Sequence, residues 1–290
     1  MKKILLLGGS AQQIPAIEYA NKKGYHTVLC DYLPDNPGQF YAKKFYCVST
    51  TDMETVLKVA GKEKIDGIVA YASDPAAPTA AYVAEKLGLP GNPYESVYIL
   101  TNKDEYRKFQ KRHNFHSPNS ASYSSVKEAF KELLAFKMPV LVKPVDSAGS
   151  KGVSIINTKD DPKDKLENAF TYSKRKKIII EEYVQMMGYQ INGDGFSVDG
   201  ELVFRCFGND YFNKNGLNPF VPISGSLPYN GPNYIQEKIH FEIQRLLKLL
   251  KMKTGAYNFD IRVDQNENVY LMEIGPRNAG YYLPHVIDYA

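Results

Sequence analysis

The stretch "FDIRVDQNENVYLMEIGPRNAG" (residues 259–280) consists of two apolar runs joined by the polar turn "QNEN". Each run carries one carboxylate, Asp260 in the first and Glu273 in the second. If the runs pair as antiparallel strands, the two carboxylates come close to cross-strand opposition, where they repel unless a cation or a proton separates them. Carboxylate oxygens completed by phosphate oxygens are the shell that Mg²⁺ prefers, and Arg277 adds a fork suited to phosphate. A pair of surface acids is the alternative, which the apolar flanks disfavour.

A second stretch, "LVKPVDSAGSKGV" (residues 141–153), places a lysine inside an apolar strand. Burying the ammonium of Lys143 is costly unless it meets an anion. The loop of small residues that follows lets backbone N–H groups approach phosphate oxygens, and it carries a second lysine, Lys151. The P-loop pattern is absent, and a hairpin turn with an edge lysine stays open as the alternative.

The run "IIIEEYV" (residues 178–184) is an apolar strand that ends in two acids and an aromatic residue. This layout suits an adenine slot, in which the backbone just after the strand binds the purine edge. A plain strand edge is the alternative. The basic run at residues 174–177, just before this strand, is interpreted as a solvated helix end.

The first hundred residues alternate strand and helix signals, which predicts a doubly wound parallel sheet. They open with "LLLGGSAQQ" (residues 5–13), which looks like a dinucleotide-binding turn. Gly8 and Gly9 are adjacent, however, and the three spaced glycines of the dinucleotide fingerprint are missing, although Asp31 falls where a ribose-binding acid would. The nucleotide is therefore expected later in the chain. Beyond residue 100 the pattern is α+β with antiparallel strands.

Taken in chain order, these features resemble the ATP-grasp superfamily of carboxylate-amine ligases. The matching stretches are "NKDEYR" (102–107), "VKPVDSAGSKGV" (142–153), "EEYV" (181–184) and residues 259–280. The resemblance implies an α/β Rossmann-like (pre-ATP-grasp) domain at residues 1–100, followed by an α+β ATP-grasp domain of two lobes at residues 101–290. The small lobe would cover residues 110–182 and the large lobe residues 183–290, with ATP between them.

The resemblance also implies roles for the matching residues. Lys103 and Lys143 would contact the ATP phosphates and the adenine side, and Asp260 and Glu273 would hold Mg²⁺ or Mn²⁺. Arg277 would stabilise the transferred phosphoryl group or the acyl phosphate, with Lys151 as a second catalytic residue. The flap over the triphosphate would comprise Ser147, Ala148, Gly149, Ser150, Lys151 and Gly152. The adenine slot would comprise Glu181, Glu182, Tyr183 and Val184.

The chain departs from the family pattern at two positions. The family commonly has Glu-x-Asn-Pro-Arg where this chain reads "EIGPR", so Gly275 replaces a further metal ligand. Gln190 stands where many members have a ribose-binding glutamate, and it can bond a hydroxyl without bringing charge. Because relatives usually continue well past this length, the chain is expected either to be a fragment or to lack the usual C-terminal part of the large lobe.

The acceptor substrate is expected to bind outside these motifs. Asp74 follows the fourth predicted strand, at the carboxyl end where open α/β sheets bind ligands. Arg205 and Ser226 lie beside and within a long polar segment, residues 207–229, and long loops in compact domains are often functional. Gly9 is the remaining candidate, and for all four a structural role is equally open. Carbamoyl-phosphate-synthase-like, glycinamide-ribonucleotide-synthetase-like and amino-acid ligases share these motifs, so the carboxylate and the amine are not identified.

Composition excludes several other classes of protein. The net charge of +4 over 290 residues is too small to indicate nucleic acid, and no apolar run reaches the length of a membrane span. Three unpatterned cysteines argue against a disulfide framework or a zinc site. With no signal peptide at its start, the chain is expected to be cytoplasmic, and a homodimer stays open.

The expected function is ATP- and Mg²⁺-dependent ligation of a carboxylate to an amine through an acyl phosphate, with release of ADP. Two other classes stay open. An NAD-dependent oxidoreductase would use Gly8, Gly9 and Asp31, but leaves the later lysines and acids unexplained. An ATP-binding relative with a regulatory role and no ligase activity is the second.

Overall fold

The first hundred residues form a parallel sheet whose strands alternate with helices, as the apolar runs predict. A computed structural model describes residues 1–213, 215–216 and 218–280, so residues 281–290 of the predicted large lobe lie outside the described part. The strands are β1 (Lys3–Leu7), β2 (His26–Asp31), β3 (Lys44–Cys47) and β4 (Gly67–Val69), in the order β3-β2-β1-β4. The helices are α1 (Ile14–Lys22), α2 (Met53–Glu63) and α3 (Ala77–Leu87). All neighbouring strands are parallel.

Two helices, α4 (Tyr94–Thr101) and α5 (Lys103–Arg112), lead into a second, antiparallel sheet. We call it the middle sheet. Its strands are β5 (Ser120–Tyr123), β6 (Val140–Pro144), β7 (Ser154–Ile156) and β8 (Ile178–Glu182), in the order β5-β8-β6-β7. Helices α6 (Val126–Glu132) and α7 (Lys163–Tyr172) share one hydrophobic core with the strands of the middle sheet.

The third sheet, which we call the C-terminal sheet, is also antiparallel. Its strands are β9 (Gln190–Val198), β10 (Glu201–Phe212), β11 (Pro222–Ser226), β12 (Gly255–Val263) and β13 (Val269–Gly275), in the order β11-β10-β9-β12-β13. Helix α8 (Asn233–Leu249) carries an apolar stripe, and its residues Ile235, Ile239, Ile243, Leu246 and Leu247 are all buried.

The alternation along β12 explains why the C-terminal sheet has one apolar and one polar face. Tyr257, Phe259 and Ile261 are buried in the largest hydrophobic core, together with residues of α4, α5 and α8. Successive side chains of a strand point to opposite faces, so Asn258 and Asp260 project away from that core. The period-2 pattern therefore places the polar residues of this sheet on the face opposite the core, which we call the cleft face.

The basic run that precedes β8 follows the end of α7 and is exposed from Lys174 to Lys176, as expected, but two of its residues also make long-range ion pairs. Arg175 and Lys177 both contact the buried carboxylate of Asp104, at 3.0 and 2.6 Å. Burial opposes ionisation of Asp104, yet the hydrogen bond from Lys177 and the charge of Arg175 lower the pKa of this carboxyl. The run therefore ties the start of α5 to the middle sheet.

No helix in the described ranges combines the length and the apolar character that a membrane crossing requires.

We expect Asp104→Asn to lower the free energy of unfolding by ~2 kcal/mol in urea titrations, because two charged hydrogen bonds lose their carboxylate. The folded-state pKa of Asp104 is depressed, so the wild-type advantage is complete above about pH 4 and is lost as the pH falls through the folded-state pKa. Glu105→Gln, at the next position of α5, is the control, since Glu105 makes only an exposed pair with Lys108. Equal losses of unfolding free energy for the two variants would contradict a stabilising role for the ion pairs of Asp104.

Candidate functional site

Asp260 and Glu273 lie opposite each other on β12 and β13, as the hairpin pattern predicts. The turn between the strands is closed by Asp264, whose carboxylate accepts the N–H groups of Asn266 and Asn268 at 2.8 and 2.9 Å. Burial, and after it the charge of Glu273, raises the pKa of Asp260 to about 7. The pKa of Glu273 lies below its ordinary value, chiefly because of the positive charge of Lys103. The two carboxylates are thus in electrostatic conflict, which a bound cation would relieve.

Lys103 lies directly beside this pair, at the first residue of α5. Its Nζ is 3.6 Å from Glu273 Oε2 and donates a hydrogen bond of 2.9 Å to the carbonyl of Ser147. Its backbone N–H is bound to the carbonyl of Val145. The lysine therefore joins the carboxylate pair to the start of the predicted flap.

Lys143 has the anionic partner that its burial requires, and the partner is Glu181. The Lys143 ammonium is 2.6 Å from Glu181, which is fully buried and also binds Arg107 Nε at 2.9 Å. Burial disfavours the charged carboxylate, but Arg107 and Lys143 lower the pKa of Glu181 to about 2. Arg107 further donates to the carbonyl of Met272 at 2.9 Å. Glu181 was predicted to line the adenine slot; it lies beneath the cavity as the centre of this ion cluster.

A cavity of about 510 Å³ lies between the middle and C-terminal sheets. Most of the residues predicted to bind the nucleotide line it: Lys103, Lys143, Ser147, Ala148, Gly149, Ser150, Tyr183, Gln190, Asp260 and Glu273. Its walls also include apolar side chains, among them Leu141, Ile155, Met186 and Met272, as an adenine ring would need. Glu182 and Val184 do not line it; Glu182 accepts hydrogen bonds from Asn119 and from the backbone of Lys137.

Arg262 is a residue of this cavity that the motifs did not reveal. Its guanidinium carbon lies 4.9 Å from the centre of the Tyr183 ring, and its Nε and Nη2 are each 3.3 Å from Gln190 Oε1. Arg262 follows Asp260 by two positions, so strand alternation brings both to the cleft face. This alternation is the feature of the sequence from which the position of Arg262 could have been predicted.

The flap is built from left-handed backbone and closes on the polar loop that follows β10. Gly149, Ser150 and Gly152 have φ values of +66°, +55° and +72°. The Ser150 hydroxyl donates to the carbonyl of Phe220 at 3.0 Å. Lys151, predicted to be catalytic, is exposed and does not line this cavity. Gly152 is buried where a β-carbon would come within 2.9 Å of Pro144.

A second cavity, of about 500 Å³, adjoins the first at the carboxylate pair. Asp260 and Glu273 line both cavities, and Asp74, Ser226 and Arg277 line the second one. Arg277 Nε donates to Asp74 Oδ1 at 2.7 Å, and Nη2 donates to Oδ2. Two of the four predicted substrate residues, Asp74 and Ser226, are thus brought to this second cavity.

The other two predicted substrate residues, Arg205 and Gly9, lie elsewhere. Arg205 pairs with Glu237 of α8 at 2.5 Å and lines neither cavity. Gly9 donates its N–H to the buried carboxylate of Asp31 at 2.7 Å, and its carbonyl accepts the N–H of Gly38. The next N–H, of Ser10, is bound by the Gln13 side chain at 2.9 Å. The N–H groups that would hold a dinucleotide pyrophosphate are therefore already bound within the protein.

Asp194, on the cleft face of β9, was also not predicted from the sequence. Its two carboxylate oxygens accept the N–H of Ala279 at 2.9 and 3.1 Å. Burial raises the pKa of Asp194 to about 6. Asp194 thus supports the segment after β13 that carries Arg277.

Comparisons with known proteins agree with this geometry. A family model described as an ATP-grasp domain matches residues 136–285. The chain is 27% identical over 300 residues to the carbamoyl phosphate synthase large chain of Pseudothermotoga lettingae, a match that covers 98% of this chain and 27% of the relative. The large chain of Thermotoga petrophila is 24% identical over 291 residues, with 95% and 26% covered. The chain thus spans about a quarter of the length of these curated relatives.

Solved structures show the same fold. Phosphoribosylglycinamide synthetase from Anaerococcus prevotii superposes with a TM-score of 0.76 at 22% identity, covering 99% of this chain and 71% of that one. N5-Carboxyaminoimidazole synthetase from Staphylococcus aureus, complexed with ADP, gives 0.78 at 18% identity, with 98% and 73% covered. At these identities the likeness establishes the fold and no more.

We expect Glu181→Gln to lower the free energy of unfolding by ~3–5 kcal/mol, because Lys143 and Arg107 keep their buried charges without a carboxylate. Glu182→Gln is the matched control at the next position, since an amide oxygen can still accept from Asn119 and Lys137. Guanidinium unfolding of both variants measures the difference. Similar losses of unfolding free energy at the two positions would show that the ion cluster does not stabilise the fold.

Proposed function

This chain belongs to the ATP-grasp family, and we propose that it is an ATP- and Mg²⁺-dependent ligase. It would activate a carboxylate as an acyl phosphate and join it to an amine, releasing ADP and phosphate. The observation that carries the proposal is the position of Asp260 and Glu273, which line both cavities. Phosphoryl transfer needs positive charge between a nucleotide and its acceptor, and this pair is where a cation would sit.

We propose that the cavity between the middle and C-terminal sheets holds ATP. Lys103 and Lys143 would neutralise phosphate charge, while the apolar walls take the base. Gln190, which accepts a hydrogen bond from Arg262 and lines this cavity, would bond a ribose hydroxyl through its amide. The backbone N–H groups of the flap, at residues 147–152, would cover the triphosphate and exclude water, which would otherwise hydrolyse the acyl phosphate.

The residues present fit a hard cation with oxygen ligands. Asp260 and Glu273 supply two carboxylates, and the described residues include no group of three or more His, Cys, Asp or Glu side chains that could hold a metal by themselves. The remaining ligands would be phosphate and water oxygens, which is how Mg²⁺ is usually bound. When bound, Mg²⁺ would neutralise the charge that develops on the transferred phosphoryl group.

The second cavity, beside Arg277, would take the carboxylate and the amine. A carboxylate oxygen attacks the γ-phosphorus as the bond to ADP breaks, and the amine nitrogen then attacks the acyl carbon. The bond between the acyl carbon and the phosphate oxygen then breaks, phosphate leaves with the electron pair, and the nitrogen loses a proton. Positioning and charge neutralisation supply most of the acceleration in such steps. The proposal leaves the identity of the carboxylate and the amine open.

We also propose the division into a Rossmann-like domain at residues 1–100 and an ATP-grasp domain at residues 101–290. The strand order β3-β2-β1-β4 supports the first part. Oxidoreductase chemistry in that domain is disfavoured, because Asp31 and Gln13 already bind the N–H groups of Gly9 and Ser10.

Glu273→Ala is expected to abolish Mg²⁺-dependent release of ADP while the protein stays folded, because one of two metal-binding carboxylates is lost. Glu267→Ala is the control on the same hairpin, since its carboxylate pairs with Lys238 away from both cavities. ADP release over a Mg²⁺ titration, with circular dichroism as a check of folding, makes the comparison. Wild-type activity in Glu273→Ala would mean that the metal is bound elsewhere.

A thermal-shift series separates the proposed function from the other two classes. ATP with Mg²⁺ is expected to raise the melting temperature by mass action, and NAD is expected to leave it unchanged. ADP release and hydroxylamine trapping of the acyl phosphate are then measured across a panel of carboxylates and amines. Stabilisation by NAD alone would refute the ATP site. Binding of ATP without turnover of any pair would favour a regulatory protein.

A further inference from the structure

The ion pair between Asp74 and Arg277 joins the parallel sheet to the end of β13. Asp74 begins a short 3-10 helix just after β4. Its two carboxylate oxygens accept hydrogen bonds from Nε and Nη2, along one edge of the Arg277 guanidinium. Both side chains are largely buried, at 21% and 13% exposed. Paired forks of this kind combine strength with a fixed orientation.

The segments on both sides of this pair are anchored independently. The carbonyl of Tyr71 accepts a hydrogen bond from Gln13 at 3.0 Å, which fixes the segment that leads to Asp74. On the other side, Asp194 holds the N–H of Ala279. The pair therefore joins two supported segments, and the orientation of Arg277 is set by both.

Arg277 keeps part of its donor capacity in this arrangement. Of the five N–H groups of a guanidinium, two go to Asp74 and one, on Nη1, goes to the carbonyl of Asn278 at 3.1 Å. Within the described residues, the other two N–H groups have no hydrogen-bond partner. An oxygen of a phosphoryl or carboxylate group could accept them without displacing Asp74.

Gly275 is the third member of this arrangement. A β-carbon at this position would lie 2.9 Å from Asp74 Oδ1 and 3.3 Å from the Arg277 guanidinium. Its φ is not in the left-handed region, so the backbone alone does not require glycine. The space beside position 275 is filled by the ion pair, which explains why this chain lacks a side chain there.

Asp74 also competes with the carboxylate pair for Arg277. Burial opposes the charge of Arg277, but Asp74, and after it Glu273 and Asp260, raise the pKa of its guanidinium. Without Asp74, the guanidinium would be attracted to Glu273 and Asp260, which are the proposed metal ligands. Asp74 therefore keeps Arg277 off the carboxylates that the cation needs.

From these contacts we infer that Asp74 is a positioning residue for Arg277, and that glycine at position 275 makes room for it. This inference rests on the proposed function for the role of Arg277, but the Asp74–Gly275 relation stands on geometry alone. It gives a residue of the region that forms the parallel sheet a role in orienting Arg277.

The test is a double-mutant cycle of Asp74→Ala, Gly275→Ala and the combined variant, with Asp35→Ala as an exposed control. We measure ADP release against Mg²⁺, using the carboxylate and amine that the wild type turns over fastest. Asp74→Ala is expected to lower kcat about tenfold and to raise the half-saturating Mg²⁺ concentration, with little change in the KM for ATP. Asp74→Asn, which keeps the shape, is expected to fall between wild type and Asp74→Ala.

Melting temperature gives the cycle a second readout that needs no turnover. Gly275→Ala is expected to lower it by ~2–4 °C in the wild-type background, and by much less when Asp74 is already alanine. Equal shifts in both backgrounds, or an Mg²⁺ dependence of Asp74→Ala that matches Asp35→Ala, would overturn the inference. Failure of the wild type to release ADP with any substrate pair would refute the proposed function, while the melting cycle would still test the Asp74–Gly275 relation.

Discussion

The buried carboxylate of Glu181 is the interaction on which the cleft depends. It lies on β8 of the middle sheet, and its partners come from β6 and from α5, through Lys143 and Arg107. Arg107 continues to the carbonyl of Met272, on β13 of the C-terminal sheet. One anion thus links the two sheets between which the proposed nucleotide cavity lies. Buried ion pairs are costly to form and more costly to break, so this link favours a single arrangement of the two sheets.

A second constraint acts at the other end of the cavity, where two carboxylates face each other by strand register. Asp260 and Glu273 cannot separate without breaking the β12–β13 pairing, and Lys103 relieves only part of their repulsion. The strand pairing therefore holds together two carboxyl groups that repel each other when both are charged. Carboxyl groups perturbed in this way are typical of functional sites.

Local patterns in the sequence predicted much of this site, and long-range pairing decided the rest. The hairpin of Asp260 and Glu273 follows from period-2 alternation around a polar turn, because both strands lie within one short stretch. The sequence also indicates that Lys143 needs an anion, yet nothing local identifies Glu181 as that anion. Arg107 sits in a helix so rich in charge that it looks solvated, and nothing local indicates that Arg175 and Lys177 bind the buried carboxylate of Asp104. Arg205 was misleading for the same reason, since its partner Glu237 comes from a distant helix.

The glycine turn after β1 has a thermodynamic consequence of its own. Asp31 supplies the anion that a pyrophosphate would supply in a dinucleotide-binding protein, and it does so from the next strand of the same sheet. A tethered anion has an effective concentration that a diffusing phosphate at cellular levels does not match. The glycine turn is thus held by a carboxylate of the protein itself, so its conformation does not depend on a bound pyrophosphate.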